Sequence, residues 1–236
     1  MTQKSKLFII PSYLSEQHDA SFLAPMVLDV IKHTEVYFVE NVRTTRRFIS
    51  SLKLGIDISE LEFEVLDKKT SYQAISTLFS KYAGKDVGVV SEAGLPGLAD
   101  PGGVAIGYAQ KNGIKVIPLP GASSIQTALI ASGLNGQKFS FNGYLPINKT
   151  ERIKSIKQLE QTLSKSGFTQ IFMETPFRNM SLFTDLLENL SPNTYLHLSS
   201  DLFGESEKAE TKTVAQWKKQ KIDLHKIPTV FCIGNM

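Results

Sequence analysis

Three glutamates lie at the ends of apolar runs that predict buried strands. Glu40 follows Val36–Val39, Glu92 lies just after Val87–Val90, and Glu174 ends a third apolar run. In an α/β sheet, ligands bind outside the carboxyl ends of the strands, so side chains placed there can reach a substrate. A carboxylate in that position can accept the proton of a reacting hydroxyl. These glutamates are therefore candidates for acid–base chemistry, although the sequence alone does not assign one of them as the base.

Two arginines follow the first and last of these glutamates closely. Arg43 comes after Asn41, and Arg178 comes after Pro176. Either guanidinium could bind an anionic or polar substrate. For Arg43 the alternative is a solvated helix start with Asn41 as the N-cap. For Arg178, a cation in the first turn of a helix is unfavourable to the helix dipole, which indicates a role beyond structure. Our catalytic candidates are Glu40, Arg43, Glu174 and Arg178.

The stretch from Ser91 to Gly103, SEAGLPGLADPGG, is rich in glycine and proline and separates a predicted strand from a predicted helix. A simple connection between such elements needs only about 2–6 residues. Glycine lets the backbone approach a ligand closely. The stretch is neither a GxGxxG nor a GxxxxGK[ST] motif, so it lacks the Rossmann and P-loop fingerprints. We interpret it as a ligand-binding loop, with an ordinary turn as the alternative.

A second loop of small residues runs from Pro120 to Ser124 and also follows a predicted strand. Ser123 and Ser124 could cap the next helix or offer hydroxyl groups to a ligand. In a parallel sheet this loop lies beside the first one if the two preceding strands are neighbours.

Strands and helices alternate up to residue 134, which predicts βαβ units and a mostly parallel, five-stranded sheet. The rhythm breaks over Leu134–Lys149, so we expect an N-terminal α/β domain at 1–134 and a C-terminal α/β domain with a mixed sheet at 135–236. The predicted strands are Leu7–Ile10, Val36–Val39, Phe63–Leu66, Val87–Val90, Ile114–Pro118, the FSFNGYLP segment, Gln170–Glu174, Tyr195–Ser199 and Thr229–Ile233. A polar hairpin or loop is expected between the last two.

Composition sets limits on partners and location. The 236 residues are 42% hydrophobic and carry a net charge of +3, which permits a polyanionic partner without requiring one. The first apolar segment is too short for a signal peptide or membrane span, so we expect a cytoplasmic protein without membrane contact. The single cysteine allows no intramolecular disulfide, and the histidines show no metal-ligand spacing. We expect no metal.

Five segments in order resemble the tetrapyrrole-methylase-type superfamily of S-adenosylmethionine-dependent methyltransferases. They are most similar to the bacterial small-subunit rRNA cytidine 2′-O-methyltransferase family, and the resemblance covers nearly the whole chain. The first resembles that family's AEDTRxTxxLL, the second its SDAGTPxxSDPG and the last its YESPxR. The segments are VENVRTTRRFI (Val39–Ile49), SEAGLPGLADPG (Ser91–Gly102), IKVIPLPGASS (Ile114–Ser124), FNGYLP (Phe141–Pro146) and FMETPFR (Phe172–Arg178).

This resemblance implies two α/β domains with S-adenosyl-L-methionine in a cleft between them. It also implies a homodimer that methylates a ribose hydroxyl of ribosomal RNA in the small subunit. The residues that it places near the cofactor are Leu14, Glu92, Ala93, Gly94, Leu95, Leu98, Gly121, Ser123, Ser124, Met173 and Thr229, with Glu174 as an alternative to Met173.

The chain departs from the family most in its first loop. The family has a glycine-containing ATPIGNLxDI there, whereas this chain has IPSYLSEQHDA. Two alternatives therefore stand beside RNA methylation. One is methylation of a small molecule such as a tetrapyrrole on the same fold, and the other is a non-catalytic homologue that only binds the cofactor.

Overall fold

Short apolar runs separated by helices build the first part of the chain. The computed structural model describes residues 5–15 and 20–236, and in it these runs form one five-stranded sheet. Its strands are β1 (Lys6–Ile10), β2 (Val36–Val39), β3 (Glu62–Val65), β4 (Val87–Val90) and β5 (Lys115–Pro118). The helices are α1 (Pro25–His33), α2 (Val42–Ser51), α3 (Tyr72–Lys81) and α4 (Gly102–Lys111), with 3-10 turns at Ala20–Phe22 and Ile58–Glu60.

The first sheet is entirely parallel, in the order β3-β2-β4-β1-β5. Helices cover both faces because the central strands are apolar on both sides. On one face Phe38 packs with Phe79 of α3, and on the other Tyr37 packs with Ile31 of α1 and Phe48 of α2. All the strands therefore end at the same edge, where the loops that follow them gather.

The second part of the chain forms a mixed sheet. Its strands are β6 (Phe139–Tyr144), β7 (Thr169–Met173), β8 (Tyr195–Ser200), β9 (Lys208–Thr213) and β10 (Thr229–Gly234). Its helices are α5 (Ser124–Ser132), α6 (Lys149–Ser166), α7 (Asn179–Asn189) and α8 (Val214–Trp217), with a 3-10 turn at Pro176–Arg178. The order is β6-β7-β10-β8-β9, and only β6 and β7 are parallel. One parallel and one mixed sheet confirm the predicted fold class.

Alternating side chains of β10 show how this sheet is covered. Phe231 packs into the cluster formed with α6 and α7, whereas Cys232 packs against residues of α5. Helix α5 packs on the second sheet, so the second compact unit begins at Ser124 and the first ends at Ser123. The sequence predicted this boundary at residue 134.

The structure decides one alternative that the sequence left open and moves the start of one helix. The polar stretch after β8 is a hairpin rather than a loop, because β9 pairs antiparallel with β8, Leu198 opposite Glu210. The spacing of apolar residues from Phe22 to Ile31 predicts the first helix, which begins at Pro25 because proline suits the first helical position. The polar composition of residues 11–21 predicts a loop, of which residues 16–19 lie outside the described residues.

A buried polar network joins β8, β9 and α5 in the second unit. The Thr211 hydroxyl donates to the Ser132 carbonyl at 2.7 Å, so it must accept from His197 Nδ1, 2.8 Å away. His197 Nε2 is then the acceptor for the Ser199 hydroxyl at 2.7 Å. Burial lowers the pKa of His197 to about 4. The folded unit therefore holds a neutral imidazole with a defined tautomer.

We expect this histidine to make the second unit acid-sensitive. Between its ordinary pKa of about 6.5 and its lowered folded value, the unfolded chain binds a proton that the folded unit does not. Stability is therefore full above pH 6.5 and falls as the pH drops, by about 2 kcal/mol between pH 7 and pH 5. Urea unfolding followed by Trp217 fluorescence measures this, because Trp217 is the single tryptophan and is buried in this unit. In His197→Gln the slope should disappear, and an unchanged slope would show that other groups cause it.

Candidate functional site

Three loops meet at the carboxyl edge of the first sheet. They are residues 11–15 after β1, 91–101 after β4 and 119–123 after β5. The Ser12 N–H donates to the Gly94 carbonyl at 2.9 Å, and the Ser12 hydroxyl donates to the Ser91 carbonyl at 3.0 Å. Strands β4 and β5 are not neighbours, since β1 lies between them. The two small-residue loops nevertheless approach each other across the end of β1.

Gly94 lies at the point of closest approach. Its φ is +75°, and a Cβ there would lie 3.0 Å from Leu14 Cδ2 and 3.1 Å from the Ala122 carbonyl oxygen. A side chain would thus suffer both backbone strain and crowding. Gly121 is similarly constrained, because a Cβ would collide with the ring of Pro11. The loops can come together only because both residues are glycine.

Asp100 holds the far half of the long loop. Its carboxylate accepts from the Gly97 N–H at 2.8 Å and from the Gly102 N–H at 2.7 Å. These bonds close the turn in which Ala99 takes a φ of +65°. Asp100 is therefore occupied by its own loop, while the side chain of Leu98 stands 46% exposed.

A pair of carboxylates lies where the loop leaves β4. Glu40 Oε2 accepts from the Glu92 N–H at 3.0 Å, and the Thr44 hydroxyl donates to Glu92 Oε1 at 3.3 Å. Burial raises the pKa of the Glu40 carboxyl, and the negative charges of Asp100 and Glu92 add to this effect. The bond from Glu92 and the charge of Lys68 act in the opposite direction without cancelling it. Of the glutamates at strand ends, Glu40 thus has an environment suited to binding a proton.

Asn41 is the N-cap of α2, as one of the two alternatives for this segment predicted. The Asn41 side chain accepts from the Arg43 N–H at 3.0 Å and from the Thr44 N–H at 3.3 Å. The Arg43 side chain is exposed, and Arg46 lies over the ring of Phe63 at 5.1 Å. Arg43 thus remains in a position to meet a ligand, whereas Arg46 faces the edge strand β3.

A cavity of about 290 Å³ opens between α2 and the loops that follow β1 and β4. Its lining brings together one guanidinium, several hydroxyl groups and the start of the Ser91–Gly103 loop. The lining residues are Ser12, Tyr13, Leu14, Ser15, Thr44, Thr45, Arg47, Phe48, Ser51, Val90, Ser91, Glu92 and Ala93. Of these residues, the sequence predicted only Leu14, Glu92 and Ala93 as part of the site. The signal for the helical ones was present, because Thr44, Arg47 and Ser51 share one helix face.

In the second unit, Glu174 and Arg178 form an ion pair at 2.6 Å. The Glu174 side chain is fully buried, and its Oε1 also accepts from the Thr175 N–H at 2.7 Å. The bond to Glu174 raises the pKa of Arg178. The position of Arg178 early in the helix, unfavourable for the dipole, is thus accounted for by a structural partner. Among the described residues, Glu174 Oε2 and Arg178 Nε are buried without a hydrogen-bond partner, which leaves room for a polar ligand group.

The other predicted residues occupy separate places in the two units. In the first unit Leu95 is half-buried in the long loop and Ser123 is buried. In the second unit Ser124 begins α5, and Met173 ends β7 opposite Val230 of β10. Thr229 is buried beside that pair and donates to the Ile227 carbonyl at 3.0 Å. Their assignment to a cofactor stays a prediction.

Within the parts of the chain that the structure describes, no group of three or more histidine, cysteine, aspartate or glutamate side chains could hold a metal ion. Over the same residues, no helix has the length and apolar character needed to cross a bilayer.

Three curated proteins with the same name align with most of this chain. A relative from Thermotoga maritima, named "Ribosomal RNA small subunit methyltransferase I", is 30% identical over 183 residues, 78% of this chain and 77% of that protein. This chain belongs to the ribosomal RNA small subunit methyltransferase I family. A relative of that name from Buchnera aphidicola is 29% identical over 91% of this chain and 73% of its own length. The chain spans only 60% of a third, from Halalkalibacterium halodurans, to which it is 30% identical.

Family membership confirms the resemblance found in the sequence and, with it, the enzyme class, a methyltransferase. No protein-family model matches the chain.

Solved structures confirm the tetrapyrrole-methylase-type fold. The chain superposes on the methyltransferase CobJ with a TM-score of 0.62 at 14% identity, over 98% of this chain and 94% of that one. A uroporphyrin-III-C-methyltransferase from Thermus thermophilus gives a TM-score of 0.55 at 16% identity, with coverages of 98% and 94%. Likeness at this level of identity concerns the fold and not the substrate.

Substituting Gly94 tests how tightly the loops are packed. Gly94→Ala should lower the free energy of unfolding by about 1–2 kcal/mol from positive φ alone, with crowding against Leu14 adding to the loss. Gly103→Ala is the matched control, because its Cβ would meet nothing within 4 Å. Urea unfolding compares the two variants. Equal stabilities would show that the loop can relax around a side chain.

Proposed function

We propose that this chain transfers the methyl group of S-adenosyl-L-methionine to a ribose 2′-hydroxyl of small-subunit ribosomal RNA. The observation that carries the proposal is membership of a family whose curated relatives are named for ribosomal RNA methylation. The converging loops at the edge of the first sheet and the raised pKa of Glu40 there support it. The same family resemblance supports our further proposals of a homodimer and a cytoplasmic location.

The charges at this edge suit the cofactor. Glu40, Glu92 and Asp100 lie close enough for their mutual repulsion to contribute to the raised pKa of Glu40. A ligand with a positive sulfonium relieves this repulsion. The residues that would hold it in the first unit are Leu14, Ala93, Gly94, Leu95 and Leu98, where glycine leaves the backbone accessible. When bound, S-adenosylmethionine supplies a methyl group that is already activated by the sulfonium.

The protein must then align the hydroxyl and remove its proton. We assign the proton acceptor as Glu40. Its raised pKa brings it closer to neutral pH than an ordinary glutamate, and the hydrogen bond from Glu92 N–H fixes one carboxylate oxygen. The other oxygen is then the one that meets the substrate. Arg43, exposed at the start of α2, is placed to contact an RNA phosphate.

Labelled cofactor tests the proposed reaction directly. The purified chain should transfer label to ribosomal RNA from a strain that lacks the corresponding gene, and mapping should place the methyl group on a ribose. Label on the base would refute the 2′-hydroxyl assignment. If the cofactor binds and no RNA is labelled, RNA methylation is refuted, and a tetrapyrrole becomes the substrate to assay. If no cofactor binds, the chain is not this enzyme.

Substitution of Glu40 tests its assignment as the base. In the wild type, the rate should fall as the pH drops through the raised pKa of Glu40, because the protonated carboxyl cannot accept a proton. Glu40→Gln keeps an oxygen for the Glu92 N–H and should lower kcat by about 10²–10⁴-fold while abolishing this acid limb. Calorimetry with S-adenosylhomocysteine should show retained binding.

The matched control is Glu35→Gln. Glu35 is exposed, pairs with Lys85 and lies just before β2, the strand that Glu40 follows. This substitution should change kcat less than twofold. A Glu40→Gln enzyme with wild-type turnover and pH profile would remove Glu40 from the mechanism.

A further inference from the structure

We propose that the cavity beside α2 receives a single unstacked nucleotide of the RNA, with Arg47 binding its phosphate. This inference rests on the proposed function and specifies which part of the substrate enters the protein. The cavity lies entirely within the first unit and measures about 290 Å³. That is near the lower end of the range for small-molecule sites, so it suits one nucleotide rather than a stretch of RNA.

The hydroxyl groups of the lining indicate what kind of ligand the cavity prefers. The hydroxyl protons of Ser12, Thr44 and Ser51 are donated to the Ser91 carbonyl, Glu92 Oε1 and the Phe48 carbonyl, respectively. Each oxygen therefore presents lone pairs to the cavity. The lining favours a ligand with N–H and O–H donors, such as the edge of a nucleobase and the hydroxyls of a ribose.

The rest of the lining adds an aromatic wall and a cation. Phe48 lies edge-on to Tyr13, with ring centroids 5.0 Å apart, and both line the cavity. Aromatic rings are the surfaces on which proteins hold unstacked bases. The exposed guanidinium of Arg47 suits a phosphate. The hydrogen-bond acceptors match the base edge and the ribose of a nucleotide, the aromatic rings match the face of its base, and the guanidinium matches its phosphate.

The Ser91–Gly103 loop, which is predicted to bind the cofactor, forms only one wall of the cavity. Leu14, Glu92 and Ala93 line the cavity, whereas the loop from Gly94 to Leu98 does not. A nucleotide in the cavity therefore lies beside Gly94–Leu98 and meets the cofactor at the shared residues Leu14 and Ala93. The shared residue Glu92 also donates its N–H to Glu40. This arrangement brings a ribose close to the proposed proton acceptor.

Unstacking a nucleotide costs a few kcal/mol, least where the base is already unpaired. The cavity therefore favours an RNA nucleotide in a loop or bulge over one within a double helix, because the first costs less to unstack.

Neighbouring residues of α2 provide the test and its control. Arg47→Ala removes the cation from the cavity, whereas Arg46→Ala removes an equal charge that lies over Phe63 outside it. Ser51→Leu fills the cavity and keeps every charge. Arg47→Ala and Ser51→Leu should each raise the KM for the RNA about tenfold. Arg46→Ala should change it less than twofold. The dissociation constant for S-adenosylhomocysteine should be the same in all three.

Each other outcome has a definite meaning. Weaker S-adenosylhomocysteine binding in Ser51→Leu would assign the cavity to the cofactor and overturn the inference. Equal effects of Arg46→Ala and Arg47→Ala would reduce the role of Arg47 to general charge, which also overturns it. So would an unchanged KM in Ser51→Leu, with folding checked by the unfolding midpoint. If the wild type labels no RNA in the same assay, the proposed function itself fails.

Discussion

The hydrogen bond from the Ser12 N–H to the Gly94 carbonyl, 2.9 Å long, joins the loops that follow β1 and β4. It can form because β1 lies between β4 and β5, so the loop after β1 is flanked by both small-residue loops. It also requires a residue without a side chain at position 94. The cavity beside α2 and the approach of the Ser91–Gly103 loop to Ala122 both depend on this junction.

Electrostatics at the same edge follow from a second constraint. The Asp100 carboxylate is held by the amide groups of its own turn, and the Glu40 carboxylate is held by the Glu92 N–H. Two of the three negative charges are thus fixed by backbone amides, and the third, that of the exposed Glu92, accepts a hydrogen bond from the Thr44 hydroxyl. The site favours a proton or a cationic ligand for this reason. The Glu174–Arg178 pair in the second unit differs, since its charges already compensate each other.

Local features of the sequence predicted much of this structure. The apolar run Val87–Val90 is β4 to the residue, because a strand buried on both faces has a distinct composition. Asn41 is an N-cap, as a short polar side chain before a helix predicts. Capping and burial are decided by neighbours in the chain, which is why one sequence was enough for these elements.

Features that depend on distant partners were not predictable in this way. The position of β1 between β4 and β5 depends on pairing across the chain, so sequence alone left open whether the two small-residue loops adjoin. The ion pair of Arg178 with Glu174 was not predicted, although the two are close in sequence, because Glu174 follows strand β7 and lies outside the helix. Arg47 was missed because its importance comes from a cavity whose other walls lie far away in sequence. The sequence left open whether the polar stretch after β8 is a hairpin or a loop, because an edge strand can remain polar and then shows no apolar pattern.

The parallel pairing of β1 also has a consequence for how the protein is made. Leu7 pairs with Val87 and with Val116, so β1 leaves the ribosome long before either of its partner strands. Contacts between residues so far apart in sequence slow folding. In the second unit, β8 pairs with β9 across a short turn, so its partner strand is synthesised directly after it. Nascent β1 thus remains an unpaired apolar segment during translation, and the edge that gathers the three loops is completed last in its unit.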